Sequence, residues 1–309
     1  MTDSSTIARL VALTEALAAR GLNLARVLTA DELEVAGIKV PVAEQGIFLL
    51  LGNGGGAFWE QFEASEGGRD GLALADRLFQ DKENHPIDMY SQALLLKALE
   101  AHLPDVRFKI LFPPNRPQKS SQHNPPKSGT KPQHMPLQQL GRLAGWHQPS
   151  PLGSGMHPNW GLWYAYRVFV WLEIEPSALD EDPVLASHPV FNQEIAKTSV
   201  SALETSETNA ALSEHCLSCA SRACVTACPA QAIVFGSNPD MQACAGYRCA
   251  TDSTCADRCL AREACPVGST APSVNSHASY PRAQISYHYR VALESLRVWY
   301  AKSEPKLSK

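Results

Sequence analysis

No cysteine occurs in the first 215 residues of this 309-residue chain, and all nine of its cysteines lie between Cys216 and Cys265. Whatever chemistry the thiols support is therefore confined to one segment. The chain also lacks an apolar run near the roughly 20 residues that span a bilayer. Its first residues are polar and do not read as a basic stretch followed by an apolar one. We therefore expect a cytoplasmic protein without a membrane segment.

The composition has no strong bias of charge. Lys and Arg number 27 and Asp and Glu number 31, which gives a formal net charge of −4. The chain is 44% hydrophobic and 19% charged, which suits one large or two modest globular domains and not a disordered chain. A broad nucleic-acid binder would carry a basic excess, so we do not expect nucleic acid as a partner. No internal repeat is evident.

The nine cysteines form two blocks with the short spacings that are typical of cubane iron–sulfur clusters. The first block reads Cys216-x2-Cys219-x4-Cys224-x3-Cys228-Pro229, and the second has Cys244 followed by Cys255-x3-Cys259-x5-Cys265-Pro266. Closely spaced thiolates wrap one face of a cubane, and a remote cysteine closes the fourth corner. The pattern predicts two [4Fe-4S] clusters. The first is held by Cys216, Cys219, Cys224 and Cys265, and the second by Cys228, Cys244, Cys255 and Cys259.

Two other uses of the thiols compete with clusters. A disulfide framework needs an oxidising compartment, which the polar N-terminus does not favour. Structural zinc takes four cysteines from paired short knuckles, whereas both blocks here end in Cys-Pro. The ninth thiol is either Cys244 or Cys249, which lies five residues further on.

Hydrophobic periodicity outlines the regular elements before the cysteines. Residues 46–51 read as a buried strand that runs into the glycine turn Gly52-Asn53-Gly54-Gly55-Gly56. Glycine turns can bind phosphate, but this one has neither a dinucleotide fingerprint nor a P-loop. A tight turn, or a backbone contact to another cofactor, remains open. The pattern also predicts helices over 6–20, 57–66, 87–103 and 281–302, and strands over 106–112 and 163–175.

Two stretches lack such periodicity. Residues 113–136 are rich in proline and carry basic residues without an acid, so they predict a long loop that is either solvated or a lid over an anionic ligand. Between Glu173 and Glu214 there are nine acids and one base, Lys197. We interpret the acidic stretch as a linker at residues 177–215.

A second informative motif precedes the cysteines. Residues 140–146 read L-G-R-L-A-G-W, and residues 155–167 read G-M-H-P-N-W-G-L-W-Y-A-Y-R. These stretches resemble the signature of epoxyqueuosine reductases, where A-G-L-G-W precedes L-I-H-P-x-x-G-x-W-F and a two-cluster ferredoxin module follows. Cobalamin-processing chaperones of the cblC type have a similar I-H-P-x-F-G-G-W-F-A-I-R stretch without clusters. Cobalamin-dependent reductive dehalogenases are similar in arrangement.

The resemblance implies an α+β fold with a flavin-nitroreductase-like domain followed by a bacterial-type 2[4Fe-4S] ferredoxin module. We accordingly expect a corrinoid-binding domain at 1–176, the linker at 177–215, the cluster module at 216–275, and a C-terminal helix in 276–309 that packs back on the protein. The resemblance also implies that Cys244 is the ligand, because related modules open their second half with a lone cysteine. Cys249 is then the spare thiol.

Carried over to this chain, the motif nominates His157, Gly161, Trp163 and Arg167 as cofactor-binding residues. The cofactor is expected to be cobalamin, with flavin as the alternative, and His157 is not expected to bind the cobalt. Each of the four also has a structural alternative: a turn for His157, core for Trp163, and an ion pair for Arg167.

The implied function is that of an iron–sulfur oxidoreductase. Electrons from a low-potential donor of the flavodoxin or ferredoxin type pass through the two [4Fe-4S] clusters to cobalamin, which reduces a small-molecule substrate. One alternative is a cobalamin-processing or transfer protein without a separate organic substrate, and another is a ferredoxin-like electron carrier. The proton-donating aspartate of epoxyqueuosine reductases is absent from residues 131–136, so reduction of epoxyqueuosine in tRNA is not expected. The proton donor stays open among His134, Tyr164 and Tyr166.

Overall fold

The computed structural model describes residues 4–42, 45–65, 85–113, 135–179, 212–267 and 281–303. Helices and an antiparallel sheet both occur in these ranges, which confirms the predicted α+β class. The proposed linker lies mostly in residues 180–211 and the proline-rich loop in 114–134, both outside the described residues. His134 also lies outside them.

Four strands form one sheet in the order β1-β2-β4-β3. They are β1 (Leu24–Leu28), β2 (Ile47–Gly54), β3 (Phe108–Phe112) and β4 (Tyr164–Leu172). β1 pairs antiparallel with β2, and β3 pairs antiparallel with β4. Every residue of β2 is buried, as expected for the continuous apolar run that predicted it.

Among the described residues, five helices precede the cysteines, and periodicity predicted three of them. The five are α1 (Ser4–Ala18), α2 (Ala30–Val35), α3 (Ala57–Ala64), α4 (Pro86–His102) and α5 (Leu137–Leu143). The helices predicted over 6–20 and 87–103 are confirmed as α1 and α4, with ends that differ by one or two residues. The predicted sequence of strand, glycine turn and helix is also confirmed, as β2, Gly55 at a φ of +70°, and α3.

Short helices dominate the cysteine segment. Four of them have between 4 and 9 residues: α6 (Glu214–Leu217), α7 (Ala223–Thr226), α8 (Met241–Cys249) and α9 (Leu260–Glu263). The predicted terminal helix is confirmed as α10, which spans the 22 residues Arg282–Ser303. No helix within the described ranges is both long enough and apolar enough to cross a membrane.

The chain divides into two compact units, each assembled from separated stretches. The first, called the sheet unit, comprises residues 1–53, 61–145 and 165–204. Its core includes α1, which packs against α4, and the stacked rings of Phe48 and Phe169, whose centroids lie 5.7 Å apart.

The second unit, called the cysteine unit, comprises residues 54–60, 146–164 and 205–309. It thus holds the His157 to Trp163 part of the motif together with all nine cysteines. Within it, α10 packs against α8. Arg167, the last residue of the motif, belongs to the sheet unit.

Candidate functional site

Four thiols of the cysteine unit lie close enough to act on one another electrostatically, and we call them sulfur group 1. The pKa of Cys265 is raised to about 11, mainly by burial and also by the charges of Cys224, Cys216 and Cys219. Burial likewise raises the pKa of Cys224, and the charges of Cys216 and Cys219 contribute to the increase. These are the four residues that the spacing assigns to the first cluster.

A second set of four thiols interacts in the same way and is called sulfur group 2. Burial raises the pKa of Cys244, and the charges of Cys259, Cys228 and Cys255 raise it further. Burial is also the main reason why the pKa of Cys259 is raised, with Cys255 contributing. The second group of ligands was predicted from the same four residues.

Helix ends position the thiols of sulfur group 1. Ser213 precedes α6, and its hydroxyl accepts the backbone N–H of Cys216 at 3.3 Å. Arg222 adopts a left-handed φ of 43° directly before α7, which turns the chain between Cys219 and Cys224. A mainly apolar cleft is lined by the four thiols of this group and by Leu152, Met156, Phe235 and Val267, among other residues.

Cys219 has the most polar surroundings of sulfur group 1. The Ser221 hydroxyl lies 3.5 Å from its sulfur. This hydrogen bond lowers the pKa of Cys219, and the backbone N–H groups of Arg222, Ser221 and Ala223 lower it further. Neutral donors aimed at the sulfur favour the thiolate, which is the form that binds metal.

Sulfur group 2 is bordered by an aromatic residue and two arginines that the sequence reasoning missed. The side chain of Tyr289 lowers the pKa of Cys259, against the larger effect of burial, which raises it. The Arg262 guanidinium lies 4.4 Å above the Trp163 ring, and the Arg248 guanidinium lies 4.9 Å from the Tyr289 ring centre. Arg248 and Arg262 lie within the cysteine segment and could have been noticed there, whereas no pattern in α10 points to Tyr289.

The nine cysteines are all thiols, and none forms a disulfide. Among the described residues, no three His, Cys, Asp or Glu side chains are placed so that they could hold a single metal ion.

His157 is a buried turn residue in the cysteine unit. Its Nδ1 accepts the backbone N–H of Asn159 at 3.1 Å and that of Trp160 at 3.3 Å. Its backbone exchanges two hydrogen bonds with Gly161. Burial lowers the pKa of His157 to about 4, so the imidazole is neutral at pH 7 and accepts these bonds.

Gly161 and Trp163 are also closely surrounded. Gly161 has a φ of +56°, and a Cβ there would lie 2.7 Å from the Val267 carbonyl oxygen. Trp163 is 2% exposed and packs against Ile285 and Tyr289. The structure thus places both residues inside the cysteine unit, next to the segments that carry the thiols.

Arg167 lies on β4 in the sheet unit, and it is buried. Its Nε donates to Oδ1 of Asn53, which is completely buried on β2, at 2.7 Å. This contact joins the arginine of the motif to the glycine turn, which contains Asn53. The donor is a charged guanidinium and the acceptor is a neutral amide oxygen.

The indole ring of Trp160 packs directly against the glycine turn. A Cβ at Gly54 would lie 2.4 Å from the Trp160 ring, and one at Gly55 would lie 2.5 Å from it. The Gly55 N–H donates to the Trp163 carbonyl at 3.0 Å. Glycine is therefore required at these two positions by the close approach of the indole.

No family model matches the chain, and no curated protein does either. Among solved structures, one that the chain resembles is that of CblC, a B12-trafficking protein of C. elegans and a homologue of human MMACHC. The identity is 13%, the likeness covers 98% of this chain and 100% of that chain, and the TM-score is 0.42. A likeness this distant assigns no function to the chain.

Proposed function

We propose that the chain is an iron–sulfur electron-transfer protein with two [4Fe-4S] clusters, one bound by sulfur group 1 and the other by sulfur group 2. The grouping of the thiols in two sets of four supports this proposal, and the first set lines one cleft. The spacing predicts the same sets, except that it leaves the choice between Cys244 and Cys249 open. Four thiolates are the donors that a cubane cluster takes.

A cubane cluster and a zinc site use four thiolates differently. In a cubane each thiolate binds a different iron, whereas a zinc site holds all four sulfurs about 2.3 Å from one ion. No group among the described residues is placed to hold a single metal ion, so the iron and zinc content of the protein is what separates the two.

When bound, such clusters supply single electrons at low potential. The protein residues supply burial, since Cys216, Cys255 and Cys265 are all buried, and they supply hydrogen bonds to the sulfurs. The electron donor would be a flavodoxin or a ferredoxin, which are one-electron carriers of low potential.

We propose cobalamin as the electron acceptor, on the strength of the motif that ends at Arg167. The corrinoid is then either processed itself or used to reduce a small molecule, and a flavin is the alternative. His157, Gly161, Trp163 and Arg167 are all in buried or tightly packed positions. Their burial favours a role in shaping the polypeptide around a cofactor over a role as exposed contacts.

Metal analysis after anaerobic reconstitution tests the cluster proposal. We expect about eight iron and about eight sulfide ions per chain, because two cubanes each hold four of both. Cys249→Ser serves as the matched control for Cys244→Ser, since both residues lie on α8. The control should keep both clusters, and Cys244→Ser should lose or convert one. About four iron per chain, or stoichiometric zinc, would contradict the proposal.

The same reconstituted protein tests the acceptor. Hydroxocobalamin is titrated into it under reducing, anoxic conditions while the corrinoid absorbance is followed. Saturable binding supports a corrinoid acceptor. If the wild-type protein with full iron content does not bind, the corrinoid is ruled out, and the electron-carrier alternative remains.

A further inference from the structure

One glutamine of the cysteine unit is completely buried. It is Gln284, on α10, which is 0% exposed. Within the part of the chain that the structure describes, neither its amide oxygen nor its amide nitrogen has a hydrogen-bonding partner. Buried polar side-chain atoms in proteins are nearly always hydrogen-bonded, because a buried amide without partners destabilises the fold. Packing alone therefore does not account for a glutamine at this position.

The polar residues on either side of Gln284 along α10 do have partners. Arg282 pairs with Asp257 at 2.9 Å, and the Ser286 hydroxyl donates to the same carboxylate at 3.3 Å. Arg282 is exposed and Ser286 is half-buried. The unsatisfied amide is thus confined to the buried side of this turn of the helix.

The surroundings of Gln284 are aromatic. Tyr287 lies three residues further on and therefore on the same side of the helix. Its ring packs on that of Trp59, with centroids 5.5 Å apart. Ile285, the next residue after Gln284, packs against Trp163. Gln284 thus lies on α10 between the contacts to Trp59 and Trp163, and Trp163 is one of the residues that the motif nominates for cofactor binding.

The chemistry of a primary amide defines the ligand that would satisfy it. An amide presents a hydrogen-bond donor and an acceptor side by side. A second carboxamide carries the same pair and can meet both atoms at once. Corrinoid rings carry carboxamide side chains around their edge, and the pyrimidine edge of a flavin carries carbonyl groups beside an N–H group. Both ring systems also have the apolar surface that aromatic surroundings favour.

We propose that Gln284 binds a carboxamide group at the edge of the corrinoid, in a site that includes Trp163 and the first turns of α10. This inference rests on the proposed corrinoid acceptor, and it adds a ligand-binding residue outside the motif. Hydrogen bonds form on binding, and no covalent bond changes. Because Gln284 is completely buried, the packing around it must open before a ligand reaches the amide.

Gln284→Met tests the proposal, because methionine has a similar length but no amide. Gln242→Met is the matched control. The Gln242 side chain is exposed on α8, and its oxygen accepts the Ser303 hydroxyl at 3.2 Å. Both variants are made in the full chain and reconstituted with iron and sulfide under anoxic conditions.

Thermal unfolding without any corrinoid or flavin gives the first measurement. At a fixed scan rate, Gln284→Met should unfold at a higher temperature than wild type, since the variant no longer buries an amide without a partner. Gln242→Met should unfold at the wild-type temperature. An unchanged or lower temperature for Gln284→Met would show that the amide is satisfied within the protein, for example by a buried water, and would overturn the proposal.

Titration with hydroxocobalamin gives the second measurement. Gln284→Met should bind it about tenfold more weakly than wild type, which corresponds to about 1.4 kcal/mol for the lost hydrogen bonds. Gln242→Met should bind it like wild type. A parallel titration with FMN distinguishes the two kinds of ligand edge. A loss of affinity for FMN alone would assign Gln284 to a flavin and overturn the corrinoid site.

Equal affinity of wild type and Gln284→Met for hydroxocobalamin would overturn the inference, and so would a wild-type protein that binds none. These results leave the clusters untouched, because the cluster proposal depends on the iron content of about eight per chain. A normal iron content in Gln284→Met shows that a loss of affinity does not come from lost clusters. Dependence of hydroxocobalamin binding on Gln284 would support the inference even in a protein with less iron.

Discussion

Among single residues, His157 shows how burial fixes a protonation state. Its imidazole is 6% exposed, and Nδ1 accepts two backbone N–H groups. Protonation would replace the acceptor by a donor that faces two other donors. Protonation of His157 at acid pH therefore destabilises the turn from His157 to Gly161.

Replacing His157 should change the dependence of stability on pH. The unfolded imidazole takes up a proton near pH 6.5, while in the folded state the pKa is about 4. The unfolded state thus binds more protons between these values, and stability falls as the pH falls from 7 to 5, by about 2 kcal/mol. Above pH 7 the contribution is fully present.

Urea denaturation of wild type and His157→Asn at pH 7 and pH 5 measures this difference. The asparagine oxygen can still accept backbone N–H groups, but it does not titrate. The variant should therefore lose about 2 kcal/mol less than wild type over this range. Equal losses in both proteins would mean that His157 is not the group responsible.

At the scale of elements, the turn between β2 and α3 is shaped by the indole of Trp160. Gly54 and Gly55 offer no Cβ to the ring, which lies within 2.5 Å of where the Cβ atoms would be. The run Gly52-Asn53-Gly54-Gly55-Gly56 thus has a packing reason as well as a conformational one. A phosphate is not needed to explain it.

Gly54→Ala should destabilise the protein by about 1 to 3 kcal/mol, because the added methyl group overpacks the ring. Trp160→Ala has its own cost, but it removes the atoms that the methyl group would meet. In a double-mutant cycle the Gly54→Ala change should therefore cost much less on the Trp160→Ala background. Urea denaturation of the four proteins gives the coupling, and additive effects would show that the ring is not the obstacle.

At the scale of the whole molecule, the two units differ in the interactions that stabilise each of them internally. The sheet unit has a core of fully buried side chains that includes Leu49, Leu50, Phe169 and Val170. The thiols of the cysteine unit are carried by helices of 4 to 9 residues and the turns between them. Helices this short are marginal by themselves.

Hydrogen exchange should reflect this difference if the clusters are present. Removal of iron by a chelator under anoxic conditions should release the amides of residues 214–265, because metal binding supplies folding free energy. The amides of β2 and β4 should keep their protection, since apolar burial stabilises them. Unchanged protection of the cysteine segment after iron removal would contradict a stabilising role of the clusters.

The sequence by itself determined the features that depend on neighbours along the chain. Periodicity predicted α1, α4 and α10, and the run at 46–56 predicted a strand, a turn and a helix, because these elements follow from local repetition of apolar residues. The cysteine spacing predicted the two sets of thiols apart from the choice between Cys244 and Cys249, since short loops can only bring certain sulfurs together. Cluster binding and a corrinoid acceptor remain proposals.

Only the tertiary structure decided which distant residues meet. It placed Tyr289 beside Cys259, Trp160 over Gly54, and Arg167 on Asn53. It also grouped the His157 to Trp163 segment with the thiols and left Arg167 in the sheet unit. These contacts join residues that are far apart along the chain, and they depend on the packing of side chains from separate elements. Local propensity and spacing carry no information about such pairs.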